Sequence, residues 1–194
     1  MKVLVIYCHP SNKSFTARMK DEFIRGLEDG GHTCQLIDLY QINFDETFSE
    51  EEYLREGFYD QALKVPEDVQ AHQRLINAND AVVFIYPVFW TEAPGKLVGW
   101  FQRVWTYGFA YGTETKMKQL DKVLMLVTMG EAEGLKKKFR KEFMERSAWK
   151  TLSAAGSGRV HFLPVDLFLY MPGPRYPEAF RYLAKLLYPG WEDK

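Results

Sequence analysis

Three short stretches of the chain gather side chains that could do chemistry at close quarters: "CHPSNKSFT" at 8–16, "PVFWTEAP" at 87–94 and "TMGEAEG" at 128–134. The first brings His9, Lys13 and the hydroxyls or amides of Ser11, Asn12, Ser14 and Thr16 to what reads as the start of a helix. Backbone N–H groups at a helix start have no internal partner, and the helix dipole adds positive potential, so both favour a phosphate. A polar loop with an ordinary cap is the competing reading. No G-x-G-x-x-G or Walker pattern is present, which removes the nucleotide-binding readings that rest on those motifs. The second stretch is aromatic and rich in accessible backbone. Trp90 could wall a flat ring while amides fix the ring's polar edge, although aromatics of this kind also fill cores.

The elements around these stretches say where they sit. "KVLVIYC" (2–8), "AVVFIYP" (81–87) and "KVLMLVTMG" (122–130) are nearly continuous apolar runs, as expected of parallel strands buried on both faces. "TCQLIDLY" (33–40) alternates more, and "GRVHFLPV" (158–165) is a weaker fifth candidate. Helical patterns fall at 15–29, 67–77, 95–105, 134–147 and 177–187, so strand and helix alternate along one domain spanning 1–194. Ser14 is placed to cap the first helix, and Gly30 and Gly31 to end it. Leu97, Phe101, Val104 and Trp105 recur at helical spacing, which predicts a helix with a broad buried aromatic face. The segment 41–66 is long for a plain connection, and "SEEEYLREGFYD" within it reads as a short helix. In an open α/β sheet the ligand crevice lies at the carboxyl ends of the strands, and that rule selects all three stretches.

Composition excludes several classes. With 25 basic and 26 acidic residues in 194, the net charge of −1 gives no footprint for nucleic acid or an anionic membrane. No run is long enough for a membrane span, and the apolar start is too short for a signal peptide, so a cytosolic protein with no integral membrane segment is expected. Cys8 and Cys34 have neither metal nor redox spacing and should pack as small apolar residues, and no metal site is expected. Of four scattered histidines, His9 alone falls in a candidate stretch.

Taken together, "CHPSNKSFT", "DLYQINF" (38–44), the tract 80–112 "DAVVFIYPVFWTEAPGKLVGWFQRVWTYGFAYG" and "VTMG" (127–130) resemble the NAD(P)H:quinone oxidoreductase (DT-diaphorase-like) family of flavodoxin-like flavoproteins. The tract from Asp80 to Gly112 is the most specific part. The resemblance implies a flavodoxin-like three-layer α/β sandwich with a five-stranded parallel sheet in order 2-1-3-4-5 and helices on both faces. It further implies a non-covalent flavin, reduction by NADPH or NADH, a small flat electron acceptor such as a quinone, and a homodimer with its pockets near the subunit interface. By position, His9, Ser14, Phe15 and Thr16 would hold the phosphate end. Pro87, Val88, Phe89 and Trp90 would line the isoalloxazine. Thr128, Met129, Gly130 and Glu131 would meet its pyrimidine edge, and Tyr111, with Trp90, would face the substrate. FMN is the first expectation, because a phosphate loop is visible and an adenine site is not, and FAD the second.

The match breaks after the fourth strand. Glu131 stands where the family has a second glycine, and the Tyr and His that assist charge changes in the family are missing nearby. A carboxylate pointing at the pyrimidine edge would oppose the anionic reduced flavin. Lys136, Lys137 and Lys138 lie close in sequence, but such a basic run is ordinarily a solvated face. No essential acid or base is therefore assigned. The departures favour an alternative, a flavodoxin-like regulatory or interaction module such as a transporter ancillary protein with weak or no reductase activity. A one-electron carrier is a third reading, without the acidic docking face it would need.

Overall fold

The structure is a computed structural model that describes residues 1–90, 92–129 and 176–187. Met1–Val127 form one compact unit, and a second begins at Thr128. In chain order the elements are β1 (Lys2–Tyr7), α1 (Phe15–Asp29), β2 (Thr33–Asp38), α2 (Glu50–Gly57), α3 (Glu67–Ala78), β3 (Ala81–Pro87), α4 (Gly95–Val104), β4 (Lys122–Thr128) and α5 (Tyr176–Leu187). The sheet runs β2-β1-β3-β4, with β1 parallel to both neighbours. This is the first four-strand part of the order expected from the sequence. The expected fifth strand (158–165) and the expected helix at 134–147 lie outside the described residues.

Burial explains the unbroken apolar runs. Val5 stands between Leu36 of β2 and Val83 of β3 in register. Leu4, Ile6 and Cys8 join Val82, Phe84 and Tyr86 in a core that includes Ile76 of α3 and Leu97 and Trp100 of α4. Val3, Val5 and Tyr7 join Val83, Ile85 and Ala17 and Met19 of α1 in a second core. Successive residues of a strand face opposite sides, and both sides are covered, so every position of β3 is buried. β2 ends the described sheet, and its mixed burial matches its more alternating sequence.

Helix ends follow local chemistry. Ser14 caps α1, its hydroxyl accepting from the Ala17 amide at 3.0 Å. At the other end, His32 N–H donates to Leu27 O and Gly31 N–H to Glu28 O, the paired bonds of a Schellman motif. Only the second glycine adopts a positive φ, 74° at Gly31, while Gly30 is the cap at −79°. In α2 a reciprocal capping box joins Ser49 and Glu52.

α4 holds the long 41–66 excursion in place through one face. Lys96 Nζ donates to Phe44 O at 2.5 Å and pairs with Glu46. One turn on, Gly99 lies so close to the chain that a Cβ there would stand 2.4 Å from Glu46 O. A further turn on, Arg103 donates to Glu52 (2.7 Å), Asp68 (2.8 Å) and Asp45 O (2.6 Å) with its guanidinium over the Phe44 ring. Trp100 is fully buried and donates its indole N–H to His72 Nδ1 at 2.8 Å. The sequence placed Trp105 on the buried face too. It is instead 37% exposed, because the helix ends there and the backbone turns away at ψ 67°.

Two outcomes test this packing. Gly99→Ala should destabilise the protein by about 1–3 kcal/mol, since the obstructing O, Cα and Cβ of Glu46 are set by the backbone and cannot rotate aside; urea melts together with faster proteolysis within 40–66 would register it. His72 is held neutral by burial, its pKa below the ordinary 6.5, with Arg103 adding to the effect and Asp68 opposing it. Above 6.5 both folded and unfolded states carry neutral His72. Below it the unfolded chain takes up a proton that the folded one refuses, so stability should fall as pH drops from 6.5 toward the lower folded value. His72→Gln, which keeps an acceptor for Trp100, should remove that part of the pH dependence in urea melts at pH 7 and 5.

Candidate functional site

Because β1 and β3 are adjacent and parallel, the chain segments leaving their carboxyl ends emerge side by side. The rings of His9 and Phe89 confirm the meeting, with centroids 6.2 Å apart. The structure thus brings together the first two stretches singled out in the sequence.

In the first, a chain of short bonds shapes the turn ahead of α1. His9 Nδ1 accepts from the Ser11 amide at 2.9 Å, and Ser11 Oγ accepts from the Lys13 amide at 3.2 Å. With Nδ1 acting as acceptor, the neutral imidazole carries its proton on Nε2. Burial lowers the His9 pKa from 6.5, so the ring is a neutral donor at pH 7. Ser14 is used as the cap, Phe15 opens the helix half-buried, and Thr16 is buried in its first turn. Cys8 lies beneath, where burial pushes its thiol up to about 12 and removes it as a nucleophile.

In the second, Pro87 ends β3 buried, Val88 is half-buried and Phe89 is exposed. Phe89 and Glu92 exchange amide bonds of 3.0 and 3.1 Å across a tight turn. Trp90 leads that turn at φ 57°, and 98% of it is exposed. The sequence reading gave this stretch's amides to a ligand's polar edge. Those of Phe89 and Glu92 are committed to closing the turn. An L-residue other than Gly, Asn or Asp pays about 1–2 kcal/mol to hold such a φ. Burial of Trp90 within the chain does not compensate, since there is none.

Tyr111 stands on a compact loop after α4. Gly108 N–H donates to Tyr111 O at 2.8 Å, and Gly108 and Gly112 have φ of 76° and 115°. A Cβ on Gly112 would meet the Tyr107 ring at 2.8 Å, so glycine is required. Among the described residues the ring contacts of Tyr111 are with Tyr107, not with Phe89 or Trp90. Thr128 ends β4 and Met129 follows half-buried, whereas Gly130 and Glu131 lie outside the described residues. Sequence reasoning missed Glu56, whose carboxylate accepts from the Tyr111 hydroxyl at 2.9 Å and the Tyr107 amide at 2.7 Å. Its separation from Tyr111 by 55 positions left no local signal.

Among the described residues no helix is long and apolar enough to cross a membrane, and no cluster of potential metal ligands occurs. Comparison with known proteins agrees with the architecture. A solved NAD(P)H:quinone oxidoreductase from Methanothermobacter marburgensis is 37% identical, with a TM-score of 0.70 over 80% of this chain and 81% of that one. Ribosyldihydronicotinamide dehydrogenase (quinone) of Rattus norvegicus is 32% identical over 123 residues, 57% of this chain and 53% of that protein. NAD(P)H dehydrogenase (quinone) 1 of the same organism is 29% identical over 146 residues, 66% and 53% respectively. The chain spans about half the length of the curated relatives it matches. The family described as "Flavodoxin-like fold" matches residues 1–172, and with the parallel β2-β1-β3-β4 sheet already in place this chain belongs to that family.

Proposed function

We propose that this protein is a flavin-dependent NAD(P)H oxidoreductase that reduces quinones or similar flat acceptors, acting as a single domain and as a homodimer in the cytosol. The observation that carries the reading is the meeting of a capped helix N-terminus and an exposed aromatic turn at the ends of adjacent strands, with His9 and Phe89 in ring contact. The similarity to a solved quinone oxidoreductase at 37% identity supports the same class.

The residues present fit a flavin in two ways. The first turn of α1 offers amides and dipole to a phosphate, with the neutral His9 Nε2–H as a further donor. Trp90 is a large ring held in solvent at a costly φ, which a flat ligand stacked on it would repay. Ser14, Phe15 and Thr16 then surround the phosphate end, while Pro87, Val88, Phe89 and Trp90 wall the ring system. Thr128, Met129, Gly130 and Glu131 are assigned its pyrimidine edge, and Tyr111 covers the acceptor. When bound, the flavin supplies hydride uptake from NAD(P)H and delivery to the acceptor. The chain's own work is to orient the two reactants in one place in turn and to keep water from them. FMN is preferred to FAD, since the phosphate loop is the only nucleotide feature assigned. The interaction-module reading gains no observation from the described residues.

Two measurements test this. Purified protein mixed with FMN or FAD and desalted should keep a visible flavin band, which NADH or NADPH should bleach anaerobically within seconds. Protein that keeps no flavin overturns the proposal. Trp90→Asn should relieve the backbone, raising apoprotein stability by about 1 kcal/mol, because Asn tolerates this φ. The same change should weaken flavin binding by about tenfold, the factor that 1.4 kcal/mol of lost stacking represents. Thermal melts of the apoprotein and flavin titration read the two effects separately.

A further inference from the structure

Glu56 receives more donors than any polar side chain of an ordinary surface helix needs. Its Oε2 accepts from the Tyr107 amide at 2.7 Å and from the Tyr111 hydroxyl at 2.9 Å, while its Oε1 takes Arg55 Nη1. Arg55 is itself buried and fixed, donating through Nε to Leu63 O and through Nη2 to Tyr107 O, both at 3.2 Å. The Tyr59 ring packs on Tyr107 with centroids 4.8 Å apart, and Gly108 is pressed against Gln61. The end of α2 and the residues after it therefore form the seat on which the 107–112 loop rests.

Three donors converge on one group, and none of the three can act as an acceptor in the geometry observed. Two are N–H groups and the third is a phenol directed at an anion. Only an acceptor with two oxygens satisfies all of them. An amide in its place would turn its NH₂ toward either Arg55 or the Tyr107 N–H, whichever way it is flipped. With its oxygen toward Arg55 the NH₂ would face the Tyr107 N–H and the Tyr111 hydroxyl together, and with its oxygen toward those two it would offer them only a neutral acceptor, so either way Tyr111 no longer donates to a carboxylate. With its proton committed to Glu56, Tyr111 meets a ligand as a ring face and not as a hydrogen-bond donor. Burial, the bond and the charge of Glu56 all push the phenol up, to about 12, so it stays protonated.

We infer that Glu56 is a positioning residue for the acceptor site, fixing the Tyr111 ring over its ligand and making recognition there one of flat apolar faces. This rests on the reading of Tyr111 as the residue that covers the acceptor. It goes beyond that reading in giving the ring's orientation, and the polarity of its hydroxyl, to a side chain on another element.

The test pairs Glu56→Gln with Tyr111→Phe. Tyr111→Phe removes the hydroxyl but leaves Glu56 bonded to Arg55 and Tyr107, so it reads the lost anchor without loosening α2. In apoprotein carrying tyrosine labelled with ¹³C at Cζ, the resonance that disappears in Tyr111→Phe identifies Tyr111. That resonance should move upfield in Glu56→Gln, as donation to a carboxylate is lost. In the flavin-loaded enzyme with a naphthoquinone as acceptor, each single variant should raise KM by about fivefold with kcat little changed, which corresponds to roughly 1 kcal/mol of lost binding. The double variant should show no further rise. An unmoved Tyr111 resonance in Glu56→Gln overturns the inference, as do KM effects of the two changes that multiply. If the wild-type protein holds no flavin, or its flavin is not reduced by NAD(P)H, the reductase reading fails. The resonance then still decides whether Glu56 directs the Tyr111 hydroxyl.

Discussion

The arrangement depends on one buried cation in particular. Arg103, near the end of α4, reaches Glu52 of α2, Asp68 of α3 and the backbone of Asp45, and it covers the Phe44 ring. Arg103 and Glu52 are both nearly inaccessible to water. An ion pair so placed adds little net stability over an apolar substitute of the same shape, yet losing one partner costs about 3–5 kcal/mol. Its value lies in geometry. The planar guanidinium has fixed donor directions, so the 41–66 excursion can lie on α4 in one way only. Gly99 and Lys96 repeat the constraint one and two turns earlier on the same face. Because α2 is seated there, Glu56 is seated too, and with it the loop that carries Tyr111.

The sheet supplies the other half of the site by a simpler rule. Central strands buried on both faces leave nothing polar to vary within them, so recognition is confined to the segments at their ends. β1 delivers a helix start suited to an anion, and β3 delivers an aromatic turn. Neither segment would make a pocket alone. Their adjacency follows from the parallel pairing of Val3 through Tyr7 with Ala81 through Ile85.

What the sequence made legible was whatever is local or periodic. The cap at Ser14, the paired turn at Gly30 and Gly31, the four described strands and α4 all depend on residues within a few positions of each other. The short helix read within 41–66 is present as Glu50–Gly57, and the structure shows it opened by a capping box. The reach of Arg103 across 51 residues to Glu52, of Tyr111 across 55 to Glu56 and of Trp100 across 28 to His72 was not readable. Polar pairs carry no periodicity, and a single chain gives no sign of which distant charge meets which. Trp90 shows the converse. Its type suggested a ring wall, but the sequence did not show that its turn would close on Phe89 and Glu92, or that its φ would be positive.

The electrostatics of the described site bear on where the chemistry must reside. A general acid or base works best with a pKa near the operating pH, and enzymes move burial and charge to bring it there. Here burial moves groups the other way. It lowers His9 from 6.5, lifts Cys8 to about 12, and with Glu56 lifts Tyr111 to about 12. Each is thereby held neutral at pH 7, as a donor, a packing group or a ring face. Side chains held neutral in this way suit the proposed role of orienting a cofactor that carries the chemistry rather than that of relaying protons. In the proposed reductase a wall of such neutral groups would favour flat, weakly polar acceptors over charged ones, because a charge brought against it would lose hydration.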